Sequence, residues 1–466
     1  MLKELLATHD RDPLLITIDG APDADGNFKI YEIQQSRYSA ANGHIALHGS
    51  SLWSSVILPF LKRKYGDVYW LAWDELDPVK DGIEVEYAKR YQRIKPIVLD
   101  ARRQCSGAVL TFRPMSMAQR RLFRTNNPNL AVVDEPPFLE KCYELNKTVL
   151  PALMPQPLRA LMPETAFFVR DRLENIRPQL VARFGDSQPL IVKGSGTNGH
   201  NVYFMGPDEL RSTRRGPNAS AFHQVGLACL LDKSYRTDTN RRIEISLFGN
   251  SAQIPNTRNM VIVAQPMVRG MTIEHKGRVF QPTMRISAAL WWDVDNNPHI
   301  EFLSCYWKLP PRSVDKGYDE NSIISARKKT LRRANNVFCA VHPDLQSSVQ
   351  RQLERPLIEG FCGLLDLHPF DAIMGLLRND DIAHKMMGIY MAARYENFID
   401  EQKPDGGKTA ELHNTVIRAC VQNQALMQYC TNIQSHEADI PMFYKMNVIE
   451  RLRAMAQPSC DQRLVI

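Results

Sequence analysis

One stretch of the chain combines a strand, a lysine and a glycine-rich loop, which together suit the binding of a phosphate group. Leu190–Val192 is an apolar, β-branched run that predicts a buried strand, and Lys193 follows at its end. The next residues spell GSGTNG, and glycines allow a backbone to take positive φ and approach an anion closely. We therefore predict contact between this segment and the phosphates of a ligand. The loop residues assigned to it are Gly194, Ser195, Gly196 and Gly199.

This loop differs from two common phosphate-binding patterns. A P-loop needs Gly-Lys followed by Ser or Thr at the start of a helix, and a dinucleotide fold needs GxGxxG between a strand and a helix. Gly194–Gly199 spells GxGxxG, but Asn201–Met205 alternates like a second strand. The segment thus predicts a glycine hairpin between two strands. Its residues leave two interpretations open, a phosphate-binding loop and an ordinary hairpin with a solvated lysine.

A second group of candidate residues lies in a hairpin near the amino terminus. Leu14–Asp19 and Phe28–Gln34 predict two short strands, joined by a turn rich in Pro, Asp and Gly. Glu32 and Gln34 are two residues apart and share a strand face, while Asp19 ends the neighbouring strand. Such oxygen ligands suit Mg²⁺, which also binds nucleotide phosphates. Taken alone, the pattern favours an ordinary surface hairpin with acidic residues.

Together, these motifs resemble the ATP-grasp family in its circularly permuted branch, which includes glutathionylspermidine synthetase. Asp19 followed by Glu32-Ile33-Gln34 is similar to the family's metal motif, an Asp and then Glu-x-Asn, with Gln in the place of Asn. In the permuted branch this motif precedes the lysines, as it does here. Lys147 resembles the first of the two ATP lysines, and Met162–Thr165 resembles the strand that follows it.

Two later segments extend the resemblance. Asn259–Gly270 resembles the hinge strand of the family, in which the residue at the position of Gln265 contacts the adenine edge. Pro282–Trp292 and His299–Lys308 predict a further hairpin, and the resemblance gives its Arg285 a phosphate-contacting role. The same hairpin holds an alternative acidic set that fits the metal motif less well, namely Asp293, Asp295 and Glu301.

The resemblance implies an ATP- and Mg²⁺-dependent ligase that joins a carboxylate to an amine. Such enzymes phosphorylate the carboxylate, and the amine then displaces phosphate from the acyl phosphate, which must be protected from water. The implied roles are nucleotide binding by Lys147, Lys193, the glycine loop and Gln265, catalysis by Arg285 and Lys193, and metal binding by Asp19, Glu32 and Gln34. Two alternatives stay open. One is a kinase that stops at phosphoryl transfer, and the other is a nucleotide-binding scaffold without turnover, for which Gln34 in the place of Asn is the main argument.

The segments between these motifs indicate the fold class and the domains. Short apolar runs alternate with helix-like pieces, which predicts an α/β fold with a parallel sheet. The runs are Asp67–Trp73, Pro96–Asp100, Ala108–Phe112 and Leu130–Val133, and a helix is predicted over Leu52–Tyr65. The preceding small-residue segment Ser36–Ser51 predicts a loop, in which we place His44 and His48.

We therefore predict three regions. Residues 1–130 hold the metal-binding hairpin and a pre-ATP-grasp parallel-sheet unit, and residues 131–314 form the nucleotide-binding lobes of an ATP-grasp fold in permuted order. Residues 315–466 have helix-period segments and few β-branched runs, which predicts an added all-helical domain. That domain carries no motif, and we interpret it either as a scaffold or as a module that selects a protein partner or a substrate.

The composition is that of a globular protein, and it bears on the ligand class, the redox state of the cysteines and the location. The 466 residues are 44% apolar and 23% charged, and the net charge of +7 suits an anionic ligand or simply solubility, without implying nucleic acid. Nine cysteines without a CxxC pair predict reduced thiols. Neither a signal peptide nor a stretch of about 18 uncharged apolar residues is evident. We expect no membrane association and a cytoplasmic location, or delivery to a cytosol without a cleavable signal.

Overall fold

The computed structural model describes most of the motifs above. The described residues are 12–34, 41–50, 52–72, 95–98, 102, 106–110, 117–133, 147–171, 173–194, 202–212, 261–293, 295–323, 337–392, 406–428 and 430. Three of the predicted loop residues, Ser195, Gly196 and Gly199, lie outside these ranges.

The described strands are β1 (Leu14–Pro22), β2 (Phe28–Gln34), β3 (Val68–Ala72), β4 (Lys95–Val98), β5 (Gly107–Leu110), β6 (Leu130–Val133), β7 (Ala166–Val169), β8 (Leu190–Gly194), β9 (Val202–Met205), β10 (Val261–Pro266), β11 (Ile273–His275), β12 (Arg278–Phe280), β13 (Thr283–Trp292), β14 (Pro298–Lys308) and β15 (Phe338–Ala340). The described α-helices are α1 (Ala41–His48), α2 (Leu58–Tyr65), α3 (Met117–Asn126), α4 (Val149–Leu153), α5 (Gln156–Arg159), α6 (Leu173–Phe184), α7 (Pro207–Arg211), α8 (Glu320–Ile323), α9 (Pro343–Asp366), α10 (Pro369–Arg378), α11 (Ile382–Ala392) and α12 (Gly406–Gln422). A π-helical turn, Trp53–Ile57, runs directly into α2, and a 3₁₀ turn covers Val314–Lys316.

A five-stranded antiparallel sheet, which we call the central sheet, has the order β15-β14-β13-β1-β2. Apolar and polar side chains alternate along its strands. One face of the sheet is therefore apolar, and the other is largely polar where β1, β2, β13 and β14 meet. On the apolar face, Ile16, Ile18 and Ile286 pack against Leu353 and Phe361 of α9. Burial of this face fixes the register of the strands, since a slip of one residue would turn the isoleucines to the opposite side.

A four-stranded antiparallel sheet, which we call the lysine sheet, has the order β7-β10-β8-β9. On one face, Val192 and Ile262 pack against Ile176 and Leu180 of α6. The opposite face carries Lys193, directly across from Val263. The predicted hairpin around the glycine loop is confirmed, because β8 and β9 pair with Lys193 opposite Val202.

A third sheet is parallel, with the order β4-β3-β5-β6, as the alternation of strands and helices predicted. It docks on the far end of the polar face of the central sheet through Trp53 and Leu61, which pack near Ala289. Asp12, just before β1, ties the two sheets together. Its carboxylate accepts hydrogen bonds from Arg120 at 3.1 Å, from Arg124, and from the backbone N–H of Val132 at 2.6 Å.

The helices of the carboxyl-terminal region pack on both antiparallel sheets. α9 covers the apolar face of the central sheet, while α10, α11 and α12 share a core with Phe167, Val169 and Val261 of the lysine sheet. β15 belongs to the same region of the chain and adds an edge strand to the central sheet. Within the described ranges, no single helix is long and apolar enough to cross a membrane. α9 and α10 together reach that length and apolar composition, but they are bent by 93° at the break between them.

One local prediction was wrong. The segment around His44 and His48, predicted as a loop, forms the helix α1. Its glycine at position 43 lies where α1 approaches the ring of Tyr306 on β14, and a Cβ built there would come within 2.2 Å of that ring. Close packing against the sheet therefore outweighs the low helix propensity of the small residues.

Candidate functional site

The polar face of the central sheet aligns four functional groups in one row. Asp19 lies opposite Glu32 on one side and opposite Arg285 on the other, and Arg285 lies opposite Tyr306. Residues directly opposite each other in a sheet project from the same face and lie close enough to interact. The row thus joins β2, β1, β13 and β14, and it brings together Asp19, Glu32 and Arg285 from the list of predicted site residues.

Asp19 is the centre of this row and is held by two cations. Arg285 donates from Nε to Oδ1 at 2.7 Å and from an Nη to Oδ2 at 2.6 Å, and Lys308 donates to Oδ2 at 2.9 Å. Burial opposes ionisation of Asp19, but the charges and hydrogen bonds of Arg285 and Lys308 outweigh it and hold the pKa of Asp19 well below its usual value. Burial lowers the pKa of Lys308, an effect that Asp19 only partly offsets.

An irregularity in β2 creates the contact between the two antiparallel sheets. Asp19 pairs with Glu32 and Gly20 with Ile30, so Tyr31 is an extra residue without a partner in the ladder, which defines a β-bulge. The bulge leaves the carbonyl of Tyr31 available, and Lys193 Nζ donates to it at 2.7 Å. Lys193 of the lysine sheet therefore reaches the strand that carries Glu32.

Lys193 is also part of a hydrogen-bond chain within the lysine sheet. Its Nζ donates to Oε1 of Gln265 at 2.6 Å, and Gln265 Nε2 donates to Oγ1 of Thr165 at 2.8 Å. Desolvation by burial, together with the nearby charge of Lys147 and against the attraction of Glu32, lowers the pKa of Lys193 to about 8. Gln265, expected from the resemblance to contact adenine, thus binds Lys193 through its side chain in this structure.

A recess lies between β2 and the lysine sheet. It has an empty volume of about 340 Å³, part of it open to solvent, and its polar lining consists of Glu32, Lys147, Lys193 and Gln265. Lys147 comes from the turn before α4, and its side chain is only 2% exposed, with Nζ 4.0 Å from Oε1 of Glu32. Apolar side chains of α4 and β10, among them Leu150 and Val263, complete the lining.

The charges around Glu32 are unequal. Four buried or mostly buried cations, Lys147, Lys193, Arg285 and Lys308, face two carboxylates, Asp19 and Glu32. The formal charges of these six groups therefore sum to +2. A buried cluster with a positive net charge favours an anionic ligand.

The donor set was tested against the Mg²⁺ that the resemblance implies. In the described part of the chain, no group of three or more His, Cys, Asp or Glu residues could hold a metal ion. Asp19 is occupied by Arg285 and Lys308, and Glu32 lies near Lys147. By themselves, these residues do not fit a resident Mg²⁺, because the cation would lie among positive charges that outnumber the carboxylates.

Two other predicted residues, Gln34 and Gly194, lie at the ends of their strands. The backbone of Gln34 pairs with Thr17, and Gly194 ends β8 opposite Ile262. The alternative acidic set lies at the other end of the β13–β14 hairpin, where Asp293 binds His299 at 2.9 Å and Glu301 pairs with Arg63. This set therefore takes no part in the cluster around Asp19.

Sequence analysis missed Lys308 and Tyr31. Lys308 ends a correctly predicted strand and shares a face with Tyr306, two residues earlier, so a signal existed in the alternation. That Lys308 binds Asp19 depends on the pairing of β14 with β13 and of β13 with β1, and the spacing of residues within one segment does not reveal such pairing. The bulge at Tyr31 likewise depends on the register between strands.

No protein-family model matches the chain, and no curated protein matches it. Among solved structures, it is similar to a protein from Methylobacillus flagellatus KT assigned as a gamma-glutamylcysteine synthetase, with 8% identity and a TM-score of 0.30, covering 78% of this chain and 91% of that one. It is also similar to D-alanyl-alanine synthetase A from Vibrio cholerae O1 biovar eltor str. N16961, with 10% identity and a TM-score of 0.26, covering 62% of this chain and 79% of that one. Similarity at this level does not assign the chain to a family or a function.

Proposed function

We propose that the protein binds ATP in the recess between the two antiparallel sheets and uses it to join a carboxylate to an amine through an acyl phosphate. The observation that carries the proposal is the convergence of Lys147 and Lys193, from separate segments, on one recess beside Glu32. The positive formal charge of the cluster is opposite in sign to the charge of ATP complexed with one Mg²⁺, which supports the proposal.

In this proposal, phosphate oxygens become hydrogen-bond partners of the lysines. Lys193 now donates to the Tyr31 carbonyl and to Gln265, and an ammonium has three donors, so one remains for a phosphate oxygen. Charge-assisted hydrogen bonds are stronger than those to a neutral carbonyl, which favours the phosphate as a partner. The glycine loop, from Gly194 to Gly199, is proposed to cover the phosphates and keep water away from the acyl phosphate.

Arg285 is proposed to stabilise the negative charge that develops during phosphoryl transfer. Its guanidinium is fixed by two hydrogen bonds to Asp19, so it needs little reorganisation when charge appears nearby. Burial opposes its charge, but Asp19 outweighs this effect and raises the pKa of Arg285, which keeps it positive at any pH of interest.

Mg²⁺ is proposed to enter as part of the nucleotide substrate, bound to the oxygens of its phosphates. The triphosphate would supply the negative charge that the protein lacks there, because Asp19 and Glu32 already face cations. A partner for the carboxyl-terminal helices stays a prediction.

The test combines ATP binding with trapping of the intermediate. The protein is incubated with ATP, Mg²⁺, pools of carboxylates and amines, and hydroxylamine, and we expect ADP, phosphate and a hydroxamate formed from the acyl phosphate. Lys193→Met should lose ATP affinity by about ten- to a hundred-fold, as expected for loss of a charge-assisted contact. Lys64→Met is the matched control, because Lys64 pairs with Glu301 and lies over the ring of Trp291, away from the recess.

Each other outcome identifies a different function. ADP together with a stable phosphorylated product would favour a kinase, and ATP binding without turnover would favour a nucleotide-binding scaffold. Absence of ATP binding at millimolar concentrations, or equal ATP affinity of wild type and Lys193→Met, would overturn the assignment of the recess.

A further inference from the structure

Lys308 is a mostly buried cation for which one hydrogen-bond partner is found among the described residues. It lies at the end of β14, its side chain is 11% exposed, and it donates to Oδ2 of Asp19 at 2.9 Å. An ammonium group carries three N–H donors. Within the described part of the chain, Asp19 is the partner found for Lys308, so two donors are left for a ligand.

Asp19 carries one negative charge and binds two cations, the guanidinium of Arg285 and the ammonium of Lys308, both of which are largely removed from water. Glu32 attracts both cations from the same row, and Arg285 also interacts with Tyr306. Because Lys147 and Lys193 also lie near Glu32, the formal charge of the whole cluster stays positive, which favours an incoming anion.

Ser287 provides a second and independent sign of a ligand. It follows Arg285 by two residues on β13, so the two side chains share a face, and it lies opposite Thr17 and Ser304. Ser287 is 5% exposed, and its hydroxyl has no hydrogen-bond partner in the part of the chain that the structure describes. A buried hydroxyl without a partner is costly unless a ligand or a water satisfies it.

We propose that Lys308 and Arg285, assisted by the Ser287 hydroxyl, bind an oxyanion of the reacting substrate beside the row that joins Asp19 and Glu32. Glu32 lines the recess with Lys147 and Lys193, and it also lies in the row with Asp19 and Arg285. The inference deepens the proposed ligase function and rests on it for the identity of the ligand. The oxyanion is either the carboxylate of the substrate or the transferred phosphoryl group of the nucleotide.

The experiment separates these sources with two simple probes, inorganic tripolyphosphate and glutarate, each titrated by calorimetry without a metal. The variants of the full chain are Lys308→Met, Lys308→Arg and Ser287→Ala, with Lys64→Met as the matched control. We expect Lys308→Met to weaken binding of at least one probe by about ten- to a hundred-fold. Lys308→Arg should stay within a few-fold of wild type, because it keeps the charge, and Ser287→Ala should weaken the same probe by a few-fold.

The two probes identify the oxyanion that Lys308 binds. A loss restricted to glutarate would assign Lys308 to the substrate carboxylate, and a loss restricted to tripolyphosphate would assign it to the phosphoryl group. Equal binding of both probes by wild type and Lys308→Met overturns the inference, as does binding of neither probe by wild type. If Lys308→Met fails to fold, as judged by circular dichroism, unchanged binding by Ser287→Ala overturns it.

Failure of this inference is distinguishable from failure of the proposed function. ATP binding and hydroxamate formation that are equal in wild type and Lys308→Met would remove the role of Lys308 and leave the ligase proposal in place. Loss of glutarate binding in Lys308→Met by a protein that does not bind ATP would keep the oxyanion site and overturn the nucleotide proposal.

Discussion

Replacing Lys193 by methionine should reveal the cost of holding a lysine in the recess. In the folded chain, burial and the neighbouring Lys147 lower the pKa of Lys193 to about 8 from an ordinary value of 10.5, against the attraction of Glu32. Below pH 8 the lysine is protonated in both the folded and the unfolded chain, and the folded state is penalised. As the pH rises from about 8 to about 10.5, the folded chain releases the proton first, so its stability increases.

The size of this effect follows from the difference in pKa. One pKa unit corresponds to about 1.4 kcal/mol, so the full difference is worth roughly 3 kcal/mol, of which about 2 kcal/mol is recovered between pH 7 and pH 9.5. Lys193→Met removes this pH dependence, although it also leaves the Tyr31 carbonyl and Gln265 without their donor. The absolute stability of the variant therefore mixes two effects of opposite sign, whereas its pH dependence isolates one.

The assay is urea unfolding of wild type and Lys193→Met at several pH values in this range. The free energy of unfolding of wild type should rise relative to that of the variant by about 2 kcal/mol. Titrating groups that do not interact with Lys193 contribute equally to both proteins and cancel in the difference. A constant difference across the range would refute the argument, because a lysine with an ordinary or raised pKa stays protonated in both states over this range.

Two further predictions concern the packing around the site. Asp12→Asn should lower the free energy of unfolding by about 3 kcal/mol, because it removes the charge of a buried carboxylate that binds Arg120, Arg124 and the Val132 N–H. Asp25→Asn, in an exposed turn, is the control, and equal urea midpoints of the two variants would contradict the prediction. Gly43→Ala should destabilise the protein by about 1–3 kcal/mol, since its Cβ would meet the ring of Tyr306. Gly375→Ala in α10 should stabilise it by about 0.5–1 kcal/mol, because a Cβ there meets nothing within 4 Å. Thermal melts of both variants test the pair, and a stabilising Gly43→Ala would show that α1 can shift to make room.

Local signals predicted the hairpins well. The turns that join β1 to β2 and β13 to β14 are rich in Gly, Pro, Asn and Asp, and both hairpins are present with nearly the predicted bounds. Pairing between neighbouring segments depends on turn chemistry and alternation, both of which can be taken from a short window. The start of helix α9 also has a local signal, since Pro343 is its first residue and His342 caps the first turn through its side chain.

The contacts that build the site were beyond local signals. Asp19 and Arg285 are 266 positions apart in the chain, and their pairing follows from the register between β1 and β13. That register is set by burial of Ile16, Ile18 and Ile286 on the opposite face. The sequence could therefore nominate Asp19 and Arg285 separately, but it could not show that they bind each other, nor that Lys308 joins them.

The carboxyl-terminal helices, for which the sequence offered no motif, have a mechanical consequence for the recess. α9 is buried against the central sheet, and α10, α11 and α12 are buried against the lysine sheet, near Val261 and Phe167. Lys193 spans the same two sheets, through its bond to the Tyr31 carbonyl. α9 leads into α10 after only two residues, so these helices connect the two sheets, and they pack on the face of the lysine sheet that also carries Lys193. If a ligand takes Lys193 away from Tyr31, the helices would still connect the sheets. We therefore predict that they hold the width of the recess, whether or not this region also binds a partner.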